Sequence, residues 1–564
     1  MAATFTVLDY CLFIAVLLIS ALIGVFYMIR ERRQAREATA EDILMGGREM
    51  GIFPVAMSLL ASYMSAITVL GIPTEIYAYG TGYWLVAASG LLTFPATCFV
   101  FLPFFHNMKL DSAYQYLELR FNRATRCMAS LLFVLEMLFY MAVVLYAPAL
   151  ALNEVTGLSL WGSILAVGAV VTFYTSMGGL PAVLWTDTFQ TFVVVLGLIG
   201  IIVTGSQQQG GLSAVWEAAK EGGRINFFNF DPSPFSRVTV WGAVIGSFIG
   251  QLTIYGASPT MLQRYMAIRD VRNSQRDQIL PYFVMENLGS FPGAPGLFVS
   301  CIFAAALSSV SSVLNALSIT VLEDLVKPWM DSRGSHLSPR GEANLAKILG
   351  VCGGLAVIAL AFLASVLGHT VLEIMITARG IGGGQLLGLF LLGMFFPCVN
   401  SAGAVAGFVV SSICTFWVAI GAIVLRVPQP TLPFSTAGCL APSYSLLGDD
   451  NFNLITDLRF EENIVSGFNQ IYTLSFLWYP TLAVIVSLVV GILKVRGPGD
   501  FLSDTGTDDD DEAGNDGNGD EAADTDPIVV ARGKKKFEGF VKDTRVCFEP
   551  SFNTKPHEHE AFYH

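Results

Sequence analysis

GIFPVAMSLLASYMSAITVLGIPTEIYAYG, residues 51–80, is apolar enough to enter a bilayer, yet Ser58, Ser62, Tyr63, Ser65 and Thr68 sit in its middle, with Gly71 and Pro73 just beyond. An uninterrupted lipid-facing helix has no use for that hydroxyl density. A helix that unwinds halfway across does, because freed carbonyls and nearby hydroxyls coordinate a desolvated cation where irregular backbone is buried in protein. Helix–helix packing is the competing reading, since small and hydroxylated residues also line membrane interfaces. From this stretch alone both stay open.

Composition sets the surroundings. Of 564 residues, 53% are hydrophobic and 14% charged, with a mean hydropathy of +0.59, too apolar for one soluble core of this length. The chain reads as an all-α polytopic membrane protein. The net charge of −13 comes largely from one acidic tail between Asp500 and Asp526. Nine cysteines lack metal-ligand spacing and indicate neither a disulfide framework nor a zinc site. Only Cys439 reads as extracellular. The first apolar run, 8–28, has no basic leader and is long enough to span, so it reads as a signal anchor.

Windows of about twenty apolar residues give twelve segments, near 8–28, 51–73, 83–105, 128–152, 159–177, 187–204, 238–258, 296–325, 346–367, 374–396, 401–425 and 471–495. Arg30, Arg32, Arg33, Arg36 and Arg48 follow the first, which places the N-terminus outside. Residues 74–82 carry no Lys or Arg and belong outside, whereas Lys109, Arg120, Arg123 and Arg126 mark a cytoplasmic loop. Arg264, Arg269, Arg272 and Arg276 again read as inside. Lys327, Arg333, Arg340 and Lys347, one segment later, also ask to be inside, and one crossing cannot have both ends there. The preferred resolution is a missing helix near 276–281; a re-entrant pass through 282–295 is the poorer one. Residues 427–470 read as an external loop. Residues 497–564 form an acidic tail too poor in apolar surface to order itself, and Lys534 to Lys536 are too few for a convincing lipid patch.

Four stretches are specific: VVLYAPALALNEVTG (143–157), GGLPAVLWTDTFQ (178–190), ALSSVSSVLNALS (306–318) and LLGLFLLGMFFPCVNSAGA (386–404). Together, in order, they resemble the sodium/solute symporter family, and within it the branch of iodide, monocarboxylate and multivitamin transporters. The resemblance covers about residues 8–500. It implies a LeuT-like core of two five-helix inverted repeats with extra helices. The organisation is then a first helix and basic loop (1–50), a first repeat (51–204), a second repeat (238–396), accessory helices with an external loop (397–496) and the tail (497–564). Members of this branch have a further helix between the stretches matching SQR (274–276) and LPYFVMENLG (280–289), and this chain joins them almost directly.

Inside a membrane Na+ needs about five or six oxygens in place of its water. The resemblance maps the main sodium site onto the Ala61, Met64 and Ala305 carbonyls and the Ser308 and Ser309 hydroxyls. Ser311, Ser312 and Asn315 continue that polar stripe at helical spacing, more hydroxyls than packing requires. Asp187 is a carboxylate at the head of an apolar run, costly unless paired or wet. It reads either as a helix cap, boxed by Gln190, or, by resemblance, as part of a second sodium site with Ser62 and Gln190. The resemblance also puts Tyr63 and Thr68 opposite Gln251 and Tyr255 around a midplane substrate. Segment seven shows its own interruption signals, from Gly250 to Pro259, and half-helix N-termini favour an anion. Arg379 either attracts a carboxylate or snorkels. Glu136, mid-segment, reads as a hydrogen-bonded structural carboxyl ahead of a cation site. Gly384-Gln385 stands where the family often has Gly-Pro.

The function expected is a sodium-coupled symporter of a small organic anion, a monocarboxylate or vitamin-like carboxylate, working by alternating access in the plasma membrane. Na+ is the coupling ion and the lipid bilayer the surroundings. No catalytic constellation marks an enzyme, no nucleotide motif a pump, and nothing points to nucleic acid. The competing class is a transport-deficient isoform or non-transporting membrane sensor of the same fold; a channel-like leak is weaker.

Overall fold

The computed structural model describes residues 7–33, 50–108, 110, 112–156, 159–266, 294–335, 337–364, 371–424, 431–432 and 467–494. The expected helix gap at 276–281, Cys439 and the acidic tail lie outside the described residues. Those described are almost entirely helical.

Helix α1 (Val7–Arg33) is one span. The stretch of residues 51–80 is broken in two, α2 (Ile52–Tyr63) and α3 (Ala66–Tyr79). Met64 (φ −84°, ψ 80°) and Ser65 (φ −81°, ψ 162°) leave the helical region between them. Ser65 restarts the helix by accepting the Thr68 N–H on its hydroxyl, at 3.2 Å. The carbonyls at the end of α2 thereby lose their helical donors. Gly71 and Pro73 fall inside α3 and do not set the break.

The span Thr81–His106 (α4) is followed by α5 (Gln115–Arg120), α6 (Arg123–Thr156) and α7 (Leu160–Gln208). At 49 residues, α7 would run about 74 Å if straight, more than twice a hydrocarbon core. It is two spans, because Gly179 (φ 59°, ψ −164°) interrupts it in a backbone region that is essentially glycine-only. After α8 (Leu212–Glu221) comes a second broken span. Its first half is α9 (Gly242–Tyr255), and α10 (Pro259–Met266) restarts on a proline beyond Gly256.

The centre is α11 (Ala294–Thr320), which continues through a wide turn, Val321–Val326, into Lys327–Asp331. The most apolar window of this span is wholly buried, so α11 faces protein on every side. It packs against α1, α2, α3, α6, α7 and α10, and against α12 (Pro339–Ala364). Helix α13 (Val371–Phe395) lies against α6, α9, α14 (Ser401–Val424) and α15 (Tyr479–Leu493). Gly384 lets α13 approach α15 closely: a Cβ there would lie 2.5 Å from the Ala483 Cβ and 2.8 Å from the Pro480 carbonyl.

Two ionic clusters close the ends. At one, Arg126 pairs with Asp324 at 2.7 Å and Glu118 at 2.6 Å, and Lys327 with Glu323 and Glu342. Here the basic loops expected in the cytoplasm meet. Arg120, whose pKa burial lowers, donates to the carbonyls of Gly393, Phe396, Pro397 and Val399 and so caps the end of α13. At the other end Glu75 of α3 receives both arms of the Arg237 guanidinium, at 2.8 and 2.9 Å. Arg237 also lies 3.8 Å from the Tyr79 ring centroid.

Candidate cation and substrate site

Both helix breaks look onto the serines of α11. Asp187, in the second half of α7, is fully buried. Its carboxylate accepts hydrogen bonds from Ser58 of α2, from Ser308 of α11 at 2.7 Å, and from Ser312 at 3.4 Å. Arg264 of α10 stands 3.4 Å away. Three elements therefore converge on one carboxylate of a fourth. The capping alternative is not realised: the second half of α7 starts just after Gly179, which leaves Asp187 mid-helix. Gln190 turns instead to Ser20 of α1, donating at 3.1 Å, and its Oε1 has no protein partner. Ser62 donates to the Ser58 carbonyl at 2.7 Å and stands 3.2 Å from the Ser312 hydroxyl. It reaches Asp187 only through these neighbours.

Ala61, Met64, Ala305 and Ser308 line one small cavity, together with Gln190. The broken helix and the buried helix thus border the same small space. Ser309 faces a second, larger cavity, and its buried hydroxyl has no protein partner. The Ser309 hydroxyl and the Gln190 amide oxygen, both without a protein partner, are hard neutral donors of the kind a monovalent cation takes. Among the described residues no group of three His, Cys, Asp or Glu could hold a metal.

The larger cavity lies beside the second break. Ser62, Ser309 and Ser312 form one wall, Thr253 and Thr260 flank the break, and the half-buried Glu136 of α6 faces them. The residues expected around substrate have these surroundings. Thr68 stands 3.1 Å from the Ser65 hydroxyl. Gln251 donates to the Val86 carbonyl at 3.2 Å, and its Oε1 is unpartnered. The Tyr255 ring packs edge-on against Phe94, centroids 5.5 Å apart. None of these three lines the larger cavity. The side chains of Tyr63 and Arg379 lie outside the described residues. Gln385 is buried with neither end of its amide partnered.

Sequence reasoning missed Arg264. Counted as a loop cation by the positive-inside rule, it is 1% exposed in the core. Its Nε donates to Ser58 Oγ at 2.8 Å, its Nη1 to the Thr260 carbonyl at 2.6 Å, and its Nη2 to Ser312. The available signal was Asp187 itself, since a carboxylate buried in a membrane calls for a cation. Arg264 also lies one turn and a half into a helix opened by Pro259, closer to the bilayer middle than a loop residue.

The model of the sodium:solute symporter family matches residues 43–285 and 238–411. The chain belongs to that family. It is 38% identical over 538 residues to the sodium-dependent multivitamin transporter of Oryctolagus cuniculus, covering 87% of this chain and 83% of that protein. It is 37% identical over 542 residues to sodium-coupled monocarboxylate transporter 1 of Homo sapiens, covering 87% of each. A solved Na+-coupled sialic acid symporter, substrate-bound and outward-open, superposes with a TM-score of 0.67 at 22% identity, over 87% of this chain and 98% of that one. At that identity the likeness shows the fold: an all-α polytopic LeuT-like bundle of inverted repeats. This member of the family is a multi-pass plasma-membrane symporter, and Na+ is its coupling ion.

Proposed function

We propose that this symporter carries a small organic anion, a monocarboxylate or vitamin-like carboxylate, inward with Na+ by alternating access. The main ion is held by the Ala61, Met64 and Ala305 carbonyls with the Ser308 and Ser309 hydroxyls. A second is placed near Ser62, Asp187 and Gln190, and the substrate between Tyr63, Thr68, Gln251, Tyr255 and Arg379. One observation supports the reading: Ala61 and Met64 of the broken helix border one small cavity with Ala305 and Ser308 of α11. The names of the relatives supply the substrate class. External Na+ joins the two elements and stabilises the outward-open core; low internal Na+ releases both ligands. The fluxes are coupled because ion and substrate bind one state more tightly than the other.

Uptake of radiolabelled pyruvate, lactate, biotin, pantothenate and iodide in sodium against choline medium tests this. The expected result is saturable, sodium-dependent uptake of at least one carboxylate; carboxylate uptake indifferent to sodium refutes it. A second reading, a transport-deficient isoform, is favoured by the basic residues on both sides of α11, Arg269, Arg272 and Arg276 before it and Lys327 and Arg333 after it. That reading predicts sodium binding to purified protein with no uptake of any solute.

A further inference from the structure

Helix α8, LSAVWEAAKE, puts Leu212, Val215, Trp216 and Ala219 on one face and Ser213, Glu217, Lys220 and Glu221 on the other. None of its residues is buried. Leu212 is 70%, Val215 41% and Trp216 54% exposed, so the apolar face is turned away from the protein. An aromatic ladder extends it. Trp216 stacks on Phe227 with centroids 6.1 Å apart, Phe227 meets Trp84 at 6.3 Å, Trp84 meets Phe228 at 5.8 Å, and Phe228 stacks on Phe230 at 6.1 Å. Trp84 stands at the head of α4, and its indole donates to the Phe227 carbonyl at 3.1 Å. The ladder therefore lies where a membrane span begins.

We propose that α8 is an interfacial helix, seated by its Leu212–Val215–Trp216 face in the outer-leaflet boundary between lipid headgroups and acyl chains. Chain geometry keeps it near the membrane boundary. Three residues separate it from the end of α7, a reach of about 10 Å, and two of them, Gly210 (φ 88°) and Gly211 (φ 103°), turn the chain. Ile202, near the end of α7, is likewise 61% exposed. A Trp- and Phe-rich belt at this depth is what the interface favours. One lysine against two glutamates gives no attraction to anionic lipid, so a zwitterionic leaflet suffices. The seat is mechanically connected: the strand leaving α8 is fastened to the α3–α4 junction. Thr81 N–H donates to the Arg224 carbonyl at 2.8 Å, Asn226 N–H to Thr81 Oγ1 at 2.9 Å, and Arg224 lies over the Tyr77 ring.

The test uses Val215→Cys and Glu217→Cys in the full chain, read as differences from wild type, whose own cysteines set the background. In intact cells a membrane-impermeant maleimide should label Glu217→Cys severalfold more than Val215→Cys. With an environment-sensitive fluorophore, in purified protein reconstituted alone into phosphatidylcholine vesicles, Val215→Cys should be quenched by headgroup-proximal doxyl lipid and not by aqueous iodide, and Glu217→Cys the reverse. Equal labelling of both faces overturns the proposal. So does a Val215→Cys signal that doxyl lipid leaves unquenched, which would mean a protein covers that face, or Glu217→Cys labelling only after permeabilisation.

Discussion

Replacing Arg264 by methionine keeps the length of the side chain and removes the positive charge beside Asp187. With Nη2 and Oδ2 3.4 Å apart, two unit charges at an effective dielectric near 20 attract by about 5 kcal/mol. Removing one member of such a buried pair costs about 3–5 kcal/mol, because the other charge stays behind. Asp187 keeps its hydroxyl donors on Ser58, Ser308 and Ser312, so the loss falls at the lower end, near 3 kcal/mol. In sodium-free choline buffer, Arg264→Met should therefore unfold at a lower temperature than wild type. Sodium should then stabilise the variant more than it stabilises wild type, because the ion supplies the missing positive charge next to the carboxylate. At a hundredfold excess over Kd that gain is about 2.7 kcal/mol, enough to recover most of the loss. The double variant Asp187→Asn/Arg264→Met removes both charges and should be more stable than the sum of the single losses allows. Thermal unfolding of the purified proteins with and without sodium reads all of this. Wild-type stability of Arg264→Met in choline, or strictly additive single losses, would refute the pairing.

Three further substitutions probe the frame around the site. Gly179→Ala forces a β-carbon onto φ 59°, ψ −164° and should cost about 1–3 kcal/mol, read as a lower unfolding temperature and less protein at the cell surface. Glu75→Gln breaks the bidentate clamp on Arg237 and should reduce uptake per molecule at the surface; Arg237→Lys should not substitute, since an ammonium cannot present two parallel donors or lie flat on Tyr79. Gly384→Ala pushes α13 off Pro480 and Ala483 and should destabilise by about 1–3 kcal/mol, with Gly383→Ala as the comparison on the adjacent face.

The broken first core helix was legible because its hydroxyls have no role in lipid, although the glycine and proline that suggested its place lie inside α3, and Ser65 sets the break by capping. The second break was legible from Gly256 and Pro259, which punctuate any helix. The polar stripe of α11 stood out because Ser308, Ser309, Ser311, Ser312 and Asn315 recur at helical spacing in an apolar run, and that run is the buried centre. Arg264 was not legible, since a cation following an apolar segment has the same sequence signature whether it ends in water or folds back onto a carboxylate. Asp187 was ambiguous for a related reason: whether it caps a helix depends on where the helix starts, and that is decided eight residues earlier by Gly179. The pocket residues Thr68, Gln251 and Tyr255 reflect a family pattern, and which wall of which cavity they line depends on helix rotation that spacing does not encode.

Ser309 offers the most direct test of the ion site. Its buried hydroxyl bonds to no other protein group, so Ser309→Ala removes one oxygen without breaking a hydrogen bond. Equilibrium binding of radioactive sodium to the purified protein should weaken by about tenfold or more, the 1.5–3 kcal/mol of one contact to a charged partner, with unfolding in choline unchanged. Sodium binding by Ser309→Ala as tight as that of wild type would contradict the proposed ion site, in which the Ser309 hydroxyl is a ligand.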